Sequence, residues 1–219
     1  MPVELMKDFE QTFGVRIVEG YGLSETAPVA SFNHLDRPAK PGTVGQALFG
    51  VDIRCVDDHD EPVAAGEPGE VVIRGHNVMK GYYKQPEATA DAMRNGWFHT
   101  GDIGTLDADG YLSIVDRKKD MILRGGFNVY PRELEEVLLT HPAVSLAAVV
   151  GVPDSRLGEE VKAFIVKKAG REVTADELLA WCKEQFAAYK YPRLIEFRSE
   201  LPMSATGKIL KRELRDPNK

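Results

Sequence analysis

The spacing of hydrophobic and polar positions changes period several times along this chain, and each change marks an element. Val3, Met6 and Phe9 recur near helical spacing behind Pro2, which predicts a short amphipathic helix over Pro2 to Phe13, ended by Gly14. Val15 to Val18 reads as a short strand that runs into a Gly-rich polar loop, Glu19-Gly20-Tyr21-Gly22-Leu23-Ser24-Glu25-Thr26. Pro38 to Gly50 reads as loop and edge strand. Val51 to Val56 and Glu70 to Arg74 read as antiparallel strands joined by the polar hairpin Asp57 to Gly69, so this middle part is a small all-β unit. Pro86 to Met93 is predicted helical, with Gly96 beyond its end. Gly96 to Asp102 reads as a loop. Ile103 to Asp107 then pairs with Tyr111 to Val115 across the turn Asp109-Gly110.

Asp116 to Asp120 is a run of charged residues, followed by the apolar Met121 to Leu123 and by Gly125-Gly126. Such a run belongs in solvent. It reads either as the polar connector of a hairpin or as a joint between two domains, with a Gly-Gly loop just beyond it that a ligand can approach. Helical period returns at Pro131 to Leu139, where Leu134, Val137 and Leu138 form the stripe and Glu133, Glu135 and Glu136 load the N-terminal half. Val144 to Gly151, Val161 to Lys167 and Leu194 to Phe197 read as strands. Thr174 to Glu177 is a capping box opening a helix with the stripe Leu178, Trp181 and Cys182, and Phe186 one turn on. The fold class is therefore α+β. A small β-rich subdomain over 1–116 precedes a smaller C-terminal α+β domain over 117–219, whose helices pack on a small sheet.

Composition narrows the function classes. The 219 residues hold one large or two small domains, and the net charge of -6 argues against a general nucleic-acid binder. Cys55 and Cys182 lie far apart without metal-ligand spacing and read as small buried hydrophobes of a reduced, cytoplasmic protein. No basic-then-apolar leader pattern opens the sequence, and no apolar stretch is long enough to span a bilayer.

Three stretches offer chemistry. In the first loop, the glycines admit a ligand to the backbone and Tyr21 presents a face for a flat ring. Ser24 and Thr26 offer hydroxyls there, and Glu25 offers a carboxylate to a hard cation. Taken alone, that loop is equally an ordinary turn with a stray acid. In Trp97-Phe98-His99-Thr100-Gly101-Asp102, Gly101 permits close approach and Asp102 can accept from a diol, as acids do for ribose hydroxyls. His99 reads as a structural hydrogen-bonding group rather than a base. In the tail, Lys208 follows a small flexible turn and precedes a short basic helix. There it is either a mobile point charge for a cleft or part of a solvated basic terminus.

Together these stretches resemble the adenylate-forming superfamily of acyl-CoA synthetases, peptide-synthetase adenylation domains and luciferases. Tyr21-Gly22-Leu23-Ser24-Glu25 is similar to its core Tyr-Gly-x-Thr-Glu motif, and Trp97 to Asp102 to its Thr-Gly-Asp motif. Asp116 to Asp120 with Arg124-Gly125-Gly126 resembles its hinge, and Pro202 to Lys208 its closing motif. Four matches in order cover nearly the whole chain. The segment Val78 to Thr89 most resembles fatty acyl-CoA synthetases.

The resemblance implies two steps. A carboxylate attacks the α-phosphate of ATP, and coenzyme A then displaces AMP after the small domain swings. It implies that Lys208 is catalytic, that Glu25 holds Mg2+, and that Ser24 meets the α-phosphate, keeping a hydroxyl where threonine is commoner. Gly20, Tyr21 and Gly22 line the adenine side, Asp102 and Arg117 hold the ribose, Lys119 is the pivot of a joint at Arg117–Lys119, and Gly125 and Gly126 approach pantetheine. The implied partners are a fatty acid, ATP and coenzyme A, with any membrane contact peripheral and confined to a full-length form. The family's Gly- and Ser/Thr-rich phosphate loop is absent, as is most of its large N-terminal domain, and family members run to roughly twice this length or more. The expectation is a piece of a longer protein that is inactive by itself. Aryl-acid CoA ligases and carrier-protein-loading adenylation domains share these motifs. A non-catalytic nucleotide- or CoA-binding scaffold would not need Glu25, Asp102, Arg117 and Lys208 together.

Overall fold

The computed structural model describes residues 3–37, 39–205 and 207–215, with only the backbone of 3–5. Pro2, the side chain of Val3, Pro38 and Thr206 of the terminal turn, all invoked above, lie outside the described residues. The chain divides into two compact units, Met1–Lys118 and Lys119–Lys219.

In the first unit, α1 (Val3–Phe13) buries Met6 but leaves Phe9 and Phe13 exposed. The expected strand over Val15 to Val18 does not form. Its Ile17 N–H donates to a side chain instead, Glu10 Oε1 at 2.8 Å, while the Arg16 guanidinium caps the carbonyls of His34 and Leu35. Pairing begins at β1 (Gly20–Tyr21), which with β2 (Ser31–Phe32) and β3 (Gln46–Ala47) makes a small antiparallel sheet. A larger sheet follows from β4 (Val51–Val56) and β5 (Gly69–Gly75), antiparallel as their alternation requires. The helix α2 (Pro86–Ala92) ends one residue early, because Met93 enters β6 (Met93–Arg94) and pairs with Phe98.

Trp97 to Leu106 is not a loop leading into a strand but one ten-residue strand, β7, lying between β5 and β6. Phe98 and Ile103 are buried, and register irregularities near Glu70 and Ile103 accommodate its polar residues. The strand β8 (Leu112–Arg117) pairs with β7 and extends two residues further than the apolar pattern predicts. Asp116 is thus buried rather than solvated, and only Lys118–Asp120 of the charged run leaves the sheet, as a single 3-10 turn.

In the second unit, β9 (Ile122–Arg124) and β10 (Phe127–Val129) form a hairpin turned by Gly125-Gly126. Both glycines have positive φ (57° and 85°), a conformation costly for other residues. Next come α3 (Pro131–Leu138), β11 (Val144–Asp154), β12 (Gly158–Lys167), α4 (Ala175–Gln185), β13 (Leu194–Phe197) and α5 (Lys211–Arg215). The Thr174–Glu177 capping box is formed reciprocally at the start of α4. Central β12 pairs antiparallel with β11 and β9 and parallel with β13. Leu134, Leu138, Leu178 and Cys182 of the two longer helices pack on Val149, Val161 and Ile165. On the opposite face, Leu201 and Leu214 cover Ala148, Val150 and Phe164. Burial on both faces explains why β11 reads as a continuous apolar run rather than an alternating one. No helix among the described residues is long and apolar enough to cross a membrane.

Candidate functional site

The first unit gathers three separate stretches at one place. Tyr21 ends β1, Asp102 lies within β7, and Arg117 ends β8 as the register partner of Asp102. The Tyr21 hydroxyl donates to Asp102 Oδ2 at 2.6 Å, and Arg117 Nε stands 3.5 Å from Asp102 Oδ1. Asp102 is 7% exposed, whereas the Arg117 side chain is more than half exposed. The Asp102 N–H donates to Thr100 Oγ1, whose own hydroxyl donates to the Val71 carbonyl, so the acid's backbone is fixed from the neighbouring strand. Burial, and then the Asp102 charge, push the Tyr21 phenol far above its ordinary range, which keeps it a donor. The result is a nearly buried carboxylate oriented by a phenol, with an exposed guanidinium beside it. Such an acid accepts paired hydroxyls well.

The loop after β1 is shaped by close approach. A Cβ on Gly22 would lie 1.8 Å from the Pro28 carbonyl oxygen, and one on Gly20 2.3 Å from the Phe32 ring. Ser24 opens a 3-10 turn over Ser24–Thr26 and is exposed. The Thr26 hydroxyl is not available to a ligand: it is fully buried, accepts the Leu23 N–H and donates to the carbonyls of Leu23 and Pro28. Glu25 is half-buried. Tyr82 donates to its Oε1 at 3.0 Å, and Met79 N–H to its backbone carbonyl at 2.8 Å. Its Oε2 has no partner among the described residues. No group of three or more metal-ligating side chains occurs among them. One carboxylate with a spare oxygen still suits a cation that keeps water and phosphate oxygens for its other positions.

His99 is buried, with Arg94 Nη2 2.8 Å from its Nδ1 and the carboxylates of Glu70 and Asp60 within 4 Å. That is the structural role expected of it. Two residues escaped the sequence reading. Tyr82 sits inside a motif but gave no sign of facing Glu25. Glu70 sits in a β-pattern run, yet it is buried, accepts Gly101 N–H at 3.2 Å and receives Lys118 Nζ at 3.1 Å.

In the second unit, Lys119 follows the boundary, and its carbonyl accepts from Arg215 at 3.1 Å. Gly125 and Gly126 form the β9–β10 turn. Gly125 N–H donates to the Leu157 carbonyl, and Gly126 faces open space. Lys208 lies on a tight turn held by Ser204 N–H to the Lys208 carbonyl (2.8 Å) and by Lys208 N–H to Ser204 Oγ (3.1 Å). Its side chain is exposed and carries no ion pair among the described residues.

The chain matches two family models, the AMP-binding enzyme over residues 1–83 and the AMP-binding enzyme C-terminal domain over residues 133–208. It is 48% identical over 218 residues to a long-chain-fatty-acid–CoA ligase of Escherichia coli O157:H7, covering 99% of this chain and 39% of that protein. It is also 48% identical over 203 residues to a feruloyl-CoA synthase of an Amycolatopsis species, covering 92% and 41%. Among solved structures, ATP-bound MatB from Rhodopseudomonas palustris superposes with a TM-score of 0.92 at 36% identity, covering 97% of this chain and 42% of that one. The chain thus spans about 39% of the length of the ligase it matches. With both family models matched in order along a fold this similar, the chain belongs to the AMP-binding, adenylate-forming enzyme family.

Proposed function

We propose that this chain is the ribose-binding edge, joint and mobile domain of an ATP-dependent long-chain fatty acid–CoA ligase. The observation that carries the reading is the Tyr21–Asp102–Arg117 cluster, in which Tyr21 meets, across 81 positions of chain, an acid and an arginine paired on neighbouring strands. In the first reaction a fatty-acid carboxylate oxygen bonds to the α-phosphorus of ATP, and pyrophosphate leaves. In the second the thiol of coenzyme A, losing its proton, bonds to the acyl carbon, and AMP leaves.

Asp102 accepts the ribose hydroxyls, and Arg117 reaches them from solvent. The Tyr21 ring faces adenine, with Gly20 and Gly22 admitting the base. Ser24 offers its hydroxyl to the α-phosphate. Glu25 is the residue that would hold Mg2+, which when bound supplies positive charge at the phosphates. Attack of one anion on another needs a further cation aimed at the developing charge, and exposed Lys208 on its turn is that cation. Lys119 is the pivot that removes Lys208 and brings Gly125 and Gly126 to pantetheine. Acting alone, the 219-residue chain forms acyl-adenylate poorly, since it has no Gly- and Ser/Thr-rich phosphate loop. The partner it needs is the large N-terminal domain of the same protein. Free, buried Cys55 and Cys182 suit a reducing, cytoplasmic setting.

A second reading, an aryl-acid CoA ligase, is favoured by the equal 48% identity to the feruloyl-CoA synthase. The two half-reactions test the roles separately in the complete enzyme. Lys208→Ala is expected to lose adenylation by on the order of 10²–10³-fold. Lys119→Pro should keep adenylation and lose thioester formation. Unchanged adenylation in Lys208→Ala would remove the catalytic role of that lysine. Turnover of fatty against aryl acids separates the two readings.

A further inference from the structure

The residues flanking the unit boundary are each tied down inside their own unit. On the first side, Lys118 Nζ donates to Glu70 Oε2 at 3.1 Å and lies 3.0 Å from Asp58 Oδ1. The other oxygen of Glu70 accepts the Gly101 N–H at 3.2 Å, one residue from Asp102. On the second side, the Arg215 fork donates to two successive carbonyls, Nη1 to Lys119 at 3.1 Å and Nη2 to Asp120 at 3.3 Å. Nη2 also meets Asp120 Oδ1 at 3.1 Å. Two clamps, one in each unit, stop at adjacent residues.

Burying a carboxylate is costly unless it is paired and hydrogen-bonded. Glu70 is held by the Gly101 N–H, by His99 Nδ1 at 3.6 Å and by Lys118, whose own side chain is 40% exposed and adds little to the core. Tying an exposed lysine to a buried acid makes sense if Lys118 must not move. A swing spread over Asp116 to Asp120 would pull Arg117 from its register with Asp102. We propose that Glu70 and Arg215 are positioning residues of the joint, which confine its rotation to the torsions about the Lys118–Lys119 linkage while the nucleotide grip stays intact. The inference rests on reading Lys119 as the pivot.

The test compares half-reactions in the complete enzyme. Glu70→Gln keeps an oxygen for Gly101 but loses the charge opposite Lys118. Lys118→Met removes the partner. Arg215→Lys keeps charge but loses the fork over two carbonyls. Each is expected to slow thioester formation about tenfold while adenylation stays within about twofold, the scale of one lost charged hydrogen bond. Combining Glu70→Gln with Lys118→Met should cost no more than either alone, and Lys118→Arg should restore the rate. Glu70→Ala, which also abandons Gly101, should in addition raise the KM for ATP.

A second measurement needs no activity. In the 219-residue chain, trypsin should cut at Lys118 and Lys119 about tenfold faster in Glu70→Gln and in Arg215→Lys, with cutting elsewhere unchanged. A wild-type enzyme that makes no acyl-adenylate overturns the ligase reading, and the proteolysis then judges the clamps alone. An active enzyme whose ratio of half-reactions is unmoved by these variants overturns the joint proposal, as does unaltered trypsin cutting.

Discussion

Tyr21 and Asp102, 81 positions apart in the chain, share a 2.6 Å hydrogen bond that fixes the nearly buried acid of the first unit. The phenol is held far above its ordinary range by burial and by the Asp102 charge, so it donates throughout the neutral range. Among the described residues, Arg117 is the cation beside that carboxylate, and it is largely exposed. The fixed half of the grip on Asp102 is therefore Tyr21.

Tyr21→Phe keeps the ring and removes that donor. A buried acceptor losing its partner costs about 1–3 kcal/mol. Urea unfolding of the first unit should shift by that amount. In the complete enzyme the KM for ATP should rise severalfold, with the thioester step unchanged. A shift below about 0.5 kcal/mol, within the range of ordinary surface substitutions, would mean that Asp102 is held from elsewhere.

Gly22→Ala and Gly110→Ala separate close approach from backbone conformation. At Gly22 a Cβ meets the Pro28 carbonyl oxygen at 1.8 Å and the Val29 Cα at 2.7 Å, and backbone atoms cannot step aside. At Gly110 the space is open and only the positive φ of 78° resists. Gly22→Ala should cost about 1–3 kcal/mol or more by overpacking, and Gly110→Ala about 1 kcal/mol. Equal unfolding midpoints for the two would refute the close-approach account.

Tyr82→Phe tests the support of Glu25. Without the 3.0 Å bond from Tyr82, the carboxylate gains rotamers and loses orientation. The Mg2+ concentration for half-maximal adenylation should rise about fivefold, equivalent to one modest hydrogen bond, while the saturated rate is kept. An unchanged Mg2+ requirement alongside an unchanged rate would separate Tyr82 from the metal and leave it as packing.

Helices α3 and α4 were legible because their signals are local: Pro131 at the first turn, the Thr174–Glu177 box, and stripes of 3.6-residue period. The strand β7 was not, because His99, Thr100 and Gly101 look like loop residues. Pairing with β5 and β8, whose register runs as far as Gly69 with Gly104, overrides that local signal. The motif residues Tyr21, Asp102 and Arg117 were each visible, but their mutual contact was not. Glu70 was invisible as an anchor because its partners Gly101 and Lys118 lie 31 and 48 positions on. An acid in a strand run otherwise reads as a solvent-facing position. Arg215 reaches 96 positions back to Lys119 and left no trace in the pattern.

The second unit carries its own pH-sensitive pair. Arg124 Nε and Nη2 donate to the two oxygens of Glu160 at 2.5 and 2.9 Å, and Val161 N–H adds a third bond at 2.8 Å. Both side chains are only 12–13% exposed. Burial opposes the Glu160 charge, but the Arg124 bonds and the Val161 N–H outweigh it and hold the carboxyl below its ordinary range. A carboxyl depressed in the folded state stabilises the fold above its unfolded value, about pH 4.3. That contribution is lost as pH falls through the lower folded value. Glu160→Gln should therefore cost about 1.5–3 kcal/mol at pH 7, the scale of hydrogen bonds to a charged group. The gap to wild type should begin to narrow as pH drops below about 4, where Glu160 of the unfolded chain takes up its proton, and should close as pH passes the lower folded value. Urea midpoints of the second unit at both pH values decide the point: a gap that stays constant with pH would mean that packing, rather than the ionised pair, holds β9 against β12.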